Sequence, residues 1–305
     1  MQRGNHTRGA LLAVGSALLF AAAGAGVKQV SATLPNTMIV FFRNAFALVV
    51  LAPWLVRSGV SNLATPCPRL HLTRTLSGLA AMYCFFYAIS RLHLAEAVLL
   101  NYTAPLFIPF LAALWLDEPI PDRAAWPILV GFAGIALILK PTFGFFSAAG
   151  LIGLAGGVLS ASAFVGIRGL TRVEPTRRIV FYFTTISTVL SSLPLLWGWS
   201  TPDAGTWVIL GTIGALAAGG QLLMTSAYSR APAAWIGPFS YSTVVFAALF
   251  GWILWGEMPD ALSVAGGGLV CAAGILSVRA TGGRTAAAAD EPLTEPSPAL
   301  DATAG

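Results

Sequence analysis

The sequence predicts an all-α polytopic membrane protein, with ten transmembrane helices in two inverted five-helix repeats. Three observations carry that expectation. Of the 305 residues, 56% are hydrophobic and only 10% charged, where a soluble domain uses about 25% charged residues to cover itself. The apolar residues fall into runs of bilayer-crossing length. Finally, a shift of the chain against itself brings unlike polar residues into register.

The runs are read at 10–30, 35–56, 72–90, 94–116, 123–140, 149–170, 178–197, 206–228, 232–255 and 260–278. Each approaches the roughly 20 residues that a hydrocarbon core of about 30 Å requires. Turn and charge signals separate them: Thr33-Leu34-Pro35-Asn36, Pro66-Cys67-Pro68-Arg69, Asp117-Glu118-Pro119, Lys140-Pro141, Glu174-Pro175 and Thr201-Pro202-Asp203. The first run follows Arg3 and Arg8 and ends in Ala21-Ala22-Ala23-Gly24, a pattern shared with cleaved secretory signals. It is read as a retained span, because the sixth run has a matching segment. After residue 279 the chain turns to Ala, Thr, Pro and acids, and 280–305 is expected to be a disordered cytoplasmic tail.

Orientation follows the basic residues. With a cytoplasmic N-terminus, the inner segments hold Arg3, Arg8, Arg57, Arg69, Arg74, Arg123, Arg168, Arg172, Arg177, Arg178, Arg230, Arg279 and Arg284. The outer segments hold only Lys28, Arg91 and Lys140, so both termini are expected in the cytoplasm. The same scatter explains the net charge of +5 without a nucleic-acid patch.

A shift of 139 places Ser90-Arg91 on Ser229-Arg230, Tyr102 on Tyr241, Phe107 on Phe246 and Glu118 on Glu257. A shift of 141 places Gly9 on Gly150 and Gly15 on Gly156. Residues 1–140 and 149–279 are therefore read as two copies of five spans. An odd number of spans starts the second copy on the opposite face, and inverted repeats are the usual build of alternating-access carriers.

The segment Tyr87-Ala88-Ile89-Ser90-Arg91-Leu92-His93-Leu94-Ala95-Glu96-Ala97, then Leu100-Asn101-Tyr102-Thr103-Ala104-Pro105-Leu106-Phe107, Asp117-Glu118-Pro119 and Trp255-Gly256-Glu257, resembles the drug/metabolite transporter superfamily, EamA type. The resemblance implies ten helices around a central cavity in the inner membrane. It also implies a small-molecule cargo, an amino acid, an amino-acid-derived compound or a carboxylated metallophore, with export the first expectation. Import of a cofactor or nucleoside-like metabolite is the alternative, and a channel or scaffold is the alternative from another class. No cofactor is expected, and a homodimer is compatible with the sequence.

Polar side chains in lipid are costly, so they usually face a cavity or one another. Arg43, in span two, reads as a contact for a substrate carboxylate or as an arginine satisfied by helix carbonyls. Pro105 lacks an N–H, which leaves the Asn101 carbonyl without its helical partner. Asn101 and Tyr102 therefore offer a binding wall, with Ser240 and Tyr241 as counterparts in span nine and Gln221 in span eight. All five also suit the alternative of knitting helices together. Lys28 and Glu96 at outer span ends read as gating or coupling groups, though Glu96 in a first helical turn also complements the helix dipole. Gly153 and Gly157 make a close-packing step. His6, His71 and His93 lie outside the predicted spans, and Cys67, Cys84 and Cys271 show no metal-ligand spacing. With no His in a span, no Asp pair and no Gly-rich phosphate loop, enzyme chemistry is not expected.

Overall fold

The computed structural model describes residues 2–58, 64–116, 125–139, 147–171, 173–228, 239 and 241–287. Among them it is helical throughout, without a strand: α1 Gln2–Val30, α2 Asn36–Ser58, α3 Pro68–Arg91, α4 Leu94–Asn101, α5 Ala104–Leu116, α6 Ala125–Leu139, α7 Ala148–Thr171, α8 Thr176–Ser192, α9 Ala204–Tyr228, α10 Ser242–Trp255 and α11 Ala261–Ala287. Six of these are long and apolar enough to cross a bilayer, and shorter apolar helices run over Leu94–Ile108, Ser242–Trp255 and Ala261–Ala273. The chain is an all-helical, multi-pass membrane protein.

Local chemistry sets the helix ends. Asp203 caps α9, its Oδ1 accepting the Thr206 N–H at 2.8 Å, and Asp260 caps α11 by accepting the Ser263 N–H at 2.8 Å. Gly256 closes α10 in the left-handed region, φ 67°. The Glu257 N–H donates back to the Gly251 carbonyl at 3.1 Å, a six-residue return that a side chain at 256 would strain.

Three predicted boundaries shift. Span three begins at Pro68, whose ring suits a first helical turn, so His71 and Arg74 fall inside α3 and are buried. Span four divides at Tyr102-Thr103, where Pro105 removes the donor for Asn101. α11 runs on to Ala287, beyond the predicted end of span ten and into the expected tail, although Gly282 and Gly283 are weak helix formers. Residues 288–305, Asp117, Glu118, Lys140, Ser240, and most of the predicted start of span nine lie outside the described residues.

Alanines pack the interior beside larger side chains such as Met38, Ile89 and Leu210, while other large apolar residues point outward. Ala17, Ala21, Ala25 and Ala88 are buried, whereas Leu114, Trp126, Val208 and Val245 are each at least two-thirds exposed. That distribution suits lipid rather than water around the bundle. The packing joins the first part of the chain to the second. α1 lies on α9, as α7 lies on α3; α2 lies on α9, as α8 lies on α3; α1 lies on α10, as α7 lies on α4 and α5. α2 with α8, α4 with α10, and α6 with α11 complete the set.

Candidate functional site

The break between α4 and α5 sits against the start of α10. The Tyr102 hydroxyl shares a hydrogen bond with Thr243 Oγ1 at 2.8 Å, and the Tyr102 and Tyr241 rings lie 5.8 Å apart at 49°. Thr103 bonds back to the Leu100 carbonyl at 2.6 Å and Leu106 N–H to the Thr103 carbonyl at 2.9 Å, so the turn resumes as helix at once. α7 presses on this turn through the predicted glycine step. A Cβ at Gly157 would stand 2.6 Å from the Leu100 carbonyl oxygen, and one at Gly153 2.9 Å from the Leu100 side chain. Asn101 accepts from Ser160 Oγ on α7 at 2.9 Å, which makes it a tie between helices. Gln221 is half-buried on α9, and no hydrogen bond among the described residues joins it to the tyrosines.

Arg43 is half-buried on α2. Its Nη1 donates to Asn44 Oδ1 at 2.9 Å, and the fully buried Asn44 is held by the Val40 carbonyl at 2.9 Å and Met82 Sδ at 3.6 Å. Sequence reasoning missed its neighbour. Arg74, counted above among cytoplasmic arginines, is 8% exposed on α3, and its guanidinium lies 3.7 Å over the Phe183 ring on α8. The two positive charges are near enough to repel.

At the end of the bundle where α1 stops, Lys28 forms an ion pair with Glu257 and donates to the Leu92 carbonyl at 2.8 Å, with the Trp255 ring 5.4 Å away. The other Glu257 oxygen accepts the Leu94 N–H at 3.0 Å. Lys28 and Glu96 are thus not each other's partners, since Glu96 accepts from Ser263 Oγ on α11 at 2.8 Å. Glu257 is the hub that ties α1, α4 and α10. Trp255 backs the lysine.

A second tie closes the opposite end of α3. Glu174, in the turn between α7 and α8, accepts from Thr65 Oγ1 at 2.5 Å and from Arg178 Nη1 at 2.7 Å, with His71 Nε2 3.8 Å away. Burial raises the Glu174 pKa, but the hydrogen bonds from Thr65 and Arg178 and the charges of Arg178 and His71 outweigh it and hold the carboxyl below its ordinary value. Among the described residues no three His, Cys, Asp or Glu side chains gather as metal ligands.

Comparison with known proteins fits this layout. The model of the EamA-like transporter family matches the chain twice, at residues 7–140 and 147–279. The chain is 37% identical over 268 residues to the pseudopaline exporter CntI of Pseudomonas aeruginosa, covering 87% of this chain and 94% of that protein. It is 30% identical over 256 residues to a riboflavin transporter of Brucella anthropi, covering 82% and 90%. It is 27% identical over 236 residues to an S-adenosylmethionine uptake transporter of Rickettsia bellii, covering 76% and 80%. A crystal structure with 22% identity superposes with a TM-score of 0.62, covering 90% of this chain and 98% of that one, and shares the fold.

Proposed function

The chain belongs to the EamA-like transporter family, and with that membership as premise we propose a secondary carrier that exports an amino-acid-derived, carboxylate-bearing metabolite across the inner membrane by alternating access. In this reading ten spans form two inverted halves, both termini are cytoplasmic, and the Lys28–Glu257 end faces outward. The solute sits centrally, near Arg43, Asn101, Tyr102, Gln221, Ser240 and Tyr241, while Lys28 and Glu96 belong to the outer closure.

One observation carries the proposal. The principal helix pairings between the two parts of the chain have counterparts when spans one to five are exchanged with spans six to ten, the lesser packing of α4 and α5 on α11 aside. Two related halves packed in that way have two equivalent arrangements, one open to each side, and a bound solute can be passed between them. The exporter relative favours the outward direction. The uptake transporter of Rickettsia favours the second reading, import of a cofactor-like metabolite, at lower identity. The sequence holds no Gly-rich ATP-binding loop, so a gradient drives uphill flux in either case.

Counterflow in proteoliposomes tests the class. Uptake of a labelled metabolite accelerated by the same solute inside indicates a carrier, whereas flux indifferent to the trans solute indicates a channel. Metabolite profiles of cells with and without the gene select the cargo for the assay. Unchanged transport kinetics in both Arg43→Ala and Asn101→Ala would reject the site.

A further inference from the structure

We infer that Arg43 and Arg74 together form a two-point anion site, and that the solute taken there carries two carboxylates. The inference rests on the carrier reading above and adds to it the chemical class of the cargo and a residue, Arg74, outside the predicted site.

The half-buried Arg43 on α2 and the buried Arg74 on α3 lie on helices that pack against each other and against α8. Among the described residues no carboxylate pairs with either. Glu174, the acid at the same end of α3 as Arg74, is already engaged by Thr65 and Arg178. Arg43 has one neutral acceptor, the Asn44 amide oxygen. Arg74 has none for Nε and Nη1, which are buried without a hydrogen bond. A buried charge without a counter-charge is among the most costly arrangements in a protein interior, and two of like sign repel as well.

The surroundings accommodate Arg74 rather than neutralise it. Phe183 offers its ring face, a favourable but weak substitute for an anion. Gly166 on α7 leaves room for the stem, since a Cβ there would stand 3.0 Å from the Arg74 Cβ, and Gly78 leaves room for the head, 3.5 Å from Nη1. More polar capacity lies on the same helices: Tyr83 Oη on α3 and Ser187 Oγ on α8 are buried with no hydrogen bond, and Ser187 follows Phe183 by one turn on the same helix face. The two donors of fixed charge thus stand on different helices, with the Ser187 hydroxyl one turn from the ring that Arg74 covers. Guanidinium forks match carboxylates in geometry. Separate placement on α2 and α3 suits two carboxylates spaced along one molecule better than one compact dianion.

Titration calorimetry on the full chain in lipid nanodiscs tests this with glutarate, butyrate and inorganic phosphate as probes. Glutarate is expected to bind roughly tenfold or more tightly than butyrate, the gain from one further charge-assisted contact. Arg74→Gln and Arg43→Gln each bring that ratio to about one, while Arg74→Lys, which keeps the charge, retains part of the preference. Should Arg74→Gln fail to fold by size-exclusion chromatography, Arg74→Lys and Arg43→Gln decide the matter. Equal binding of glutarate and butyrate, a ratio unmoved by Arg74→Gln, phosphate binding tighter than glutarate, or no glutarate binding at millimolar concentration each overturn the proposal. Binding is read without flux. A preserved ratio in a protein without counterflow rejects the carrier and leaves the anion site. A collapsed ratio in a protein that exchanges solute does the reverse.

Discussion

Replacing Glu257 with glutamine keeps its shape and removes its charge, which isolates the ion pair from the other contacts at that end of the bundle. The Lys28 and Glu257 side chains are 13% and 16% exposed, so water screens the pair only in part. A hydrogen bond to a charged group contributes about 1.5–3 kcal/mol, and breaking one side of a fully buried pair costs about 3–5 kcal/mol. Lys28 keeps the Leu92 carbonyl and the Trp255 face, and the amide of glutamine still accepts from Leu94 N–H. The loss therefore falls near the lower figure, about 2 kcal/mol, which is roughly a thirtyfold gain in local opening. Amide hydrogen exchange in nanodiscs measures it directly. Exchange across Leu94–Val98 should rise by about that factor, while Thr176–Ser192 at the opposite end of the bundle stays at the native rate. Adding Lys28→Ala to Glu257→Gln should then cost less than Lys28→Ala alone. Native exchange rates across Leu94–Val98, or an equal rise along α8, would refute the closure.

Other expectations follow from single contacts. Tyr102→Phe loses the bond to Thr243 but keeps the ring against Tyr241, so thermal unfolding in detergent should show a loss of about 1 kcal/mol. Gly157→Ala drives a Cβ to 2.6 Å from a backbone carbonyl and should cost about 1–3 kcal/mol in the same assay, whereas Gly211→Ala, with nothing within 4 Å, should not destabilise. Glu174 has a lowered native pKa, so its stabilising contribution is fully present above the ordinary value of 4.5 and is lost as pH falls through the native value. Melting temperature against pH should therefore drop on the acid side, and Glu174→Gln should flatten that limb; an unchanged acid limb would show that the Thr65, His71 and Arg178 contacts do not stabilise the fold.

The helical, multi-pass character was legible because a bilayer imposes one rule on every residue of a crossing helix, and long apolar runs record it. Pro105 was legible too, since its missing donor acts within four residues of the chain. What escaped the sequence was pairing at a distance. Glu257 meets Lys28 across 229 positions, and nothing in Trp255-Gly256-Glu257 distinguishes a boundary acid from a hub. Arg74 was hidden by its company. It follows Arg69 and lies just inside a predicted span, where a basic residue ordinarily marks the cytoplasmic border. The early start of α3 at Pro68 draws His71 into the helix and sets Arg74 deeper within it. Asn101 was correctly singled out as a polar residue needing a reason to be there, but whether it faces a solute or another helix depends on Ser160, which lies on α7.

The tyrosine contact has a geometric consequence. Tyr102 and Tyr241 correspond under the shift of 139 residues, so this is a residue touching its own counterpart. When two related bodies trade shapes, such a meeting maps onto itself, as a hinge pin does when a door swings. The pair can act as a fulcrum kept through every turnover. Lys28 and Glu257 do not correspond to one another, and in the proposed alternating-access cycle a latch made from such unlike partners has to open.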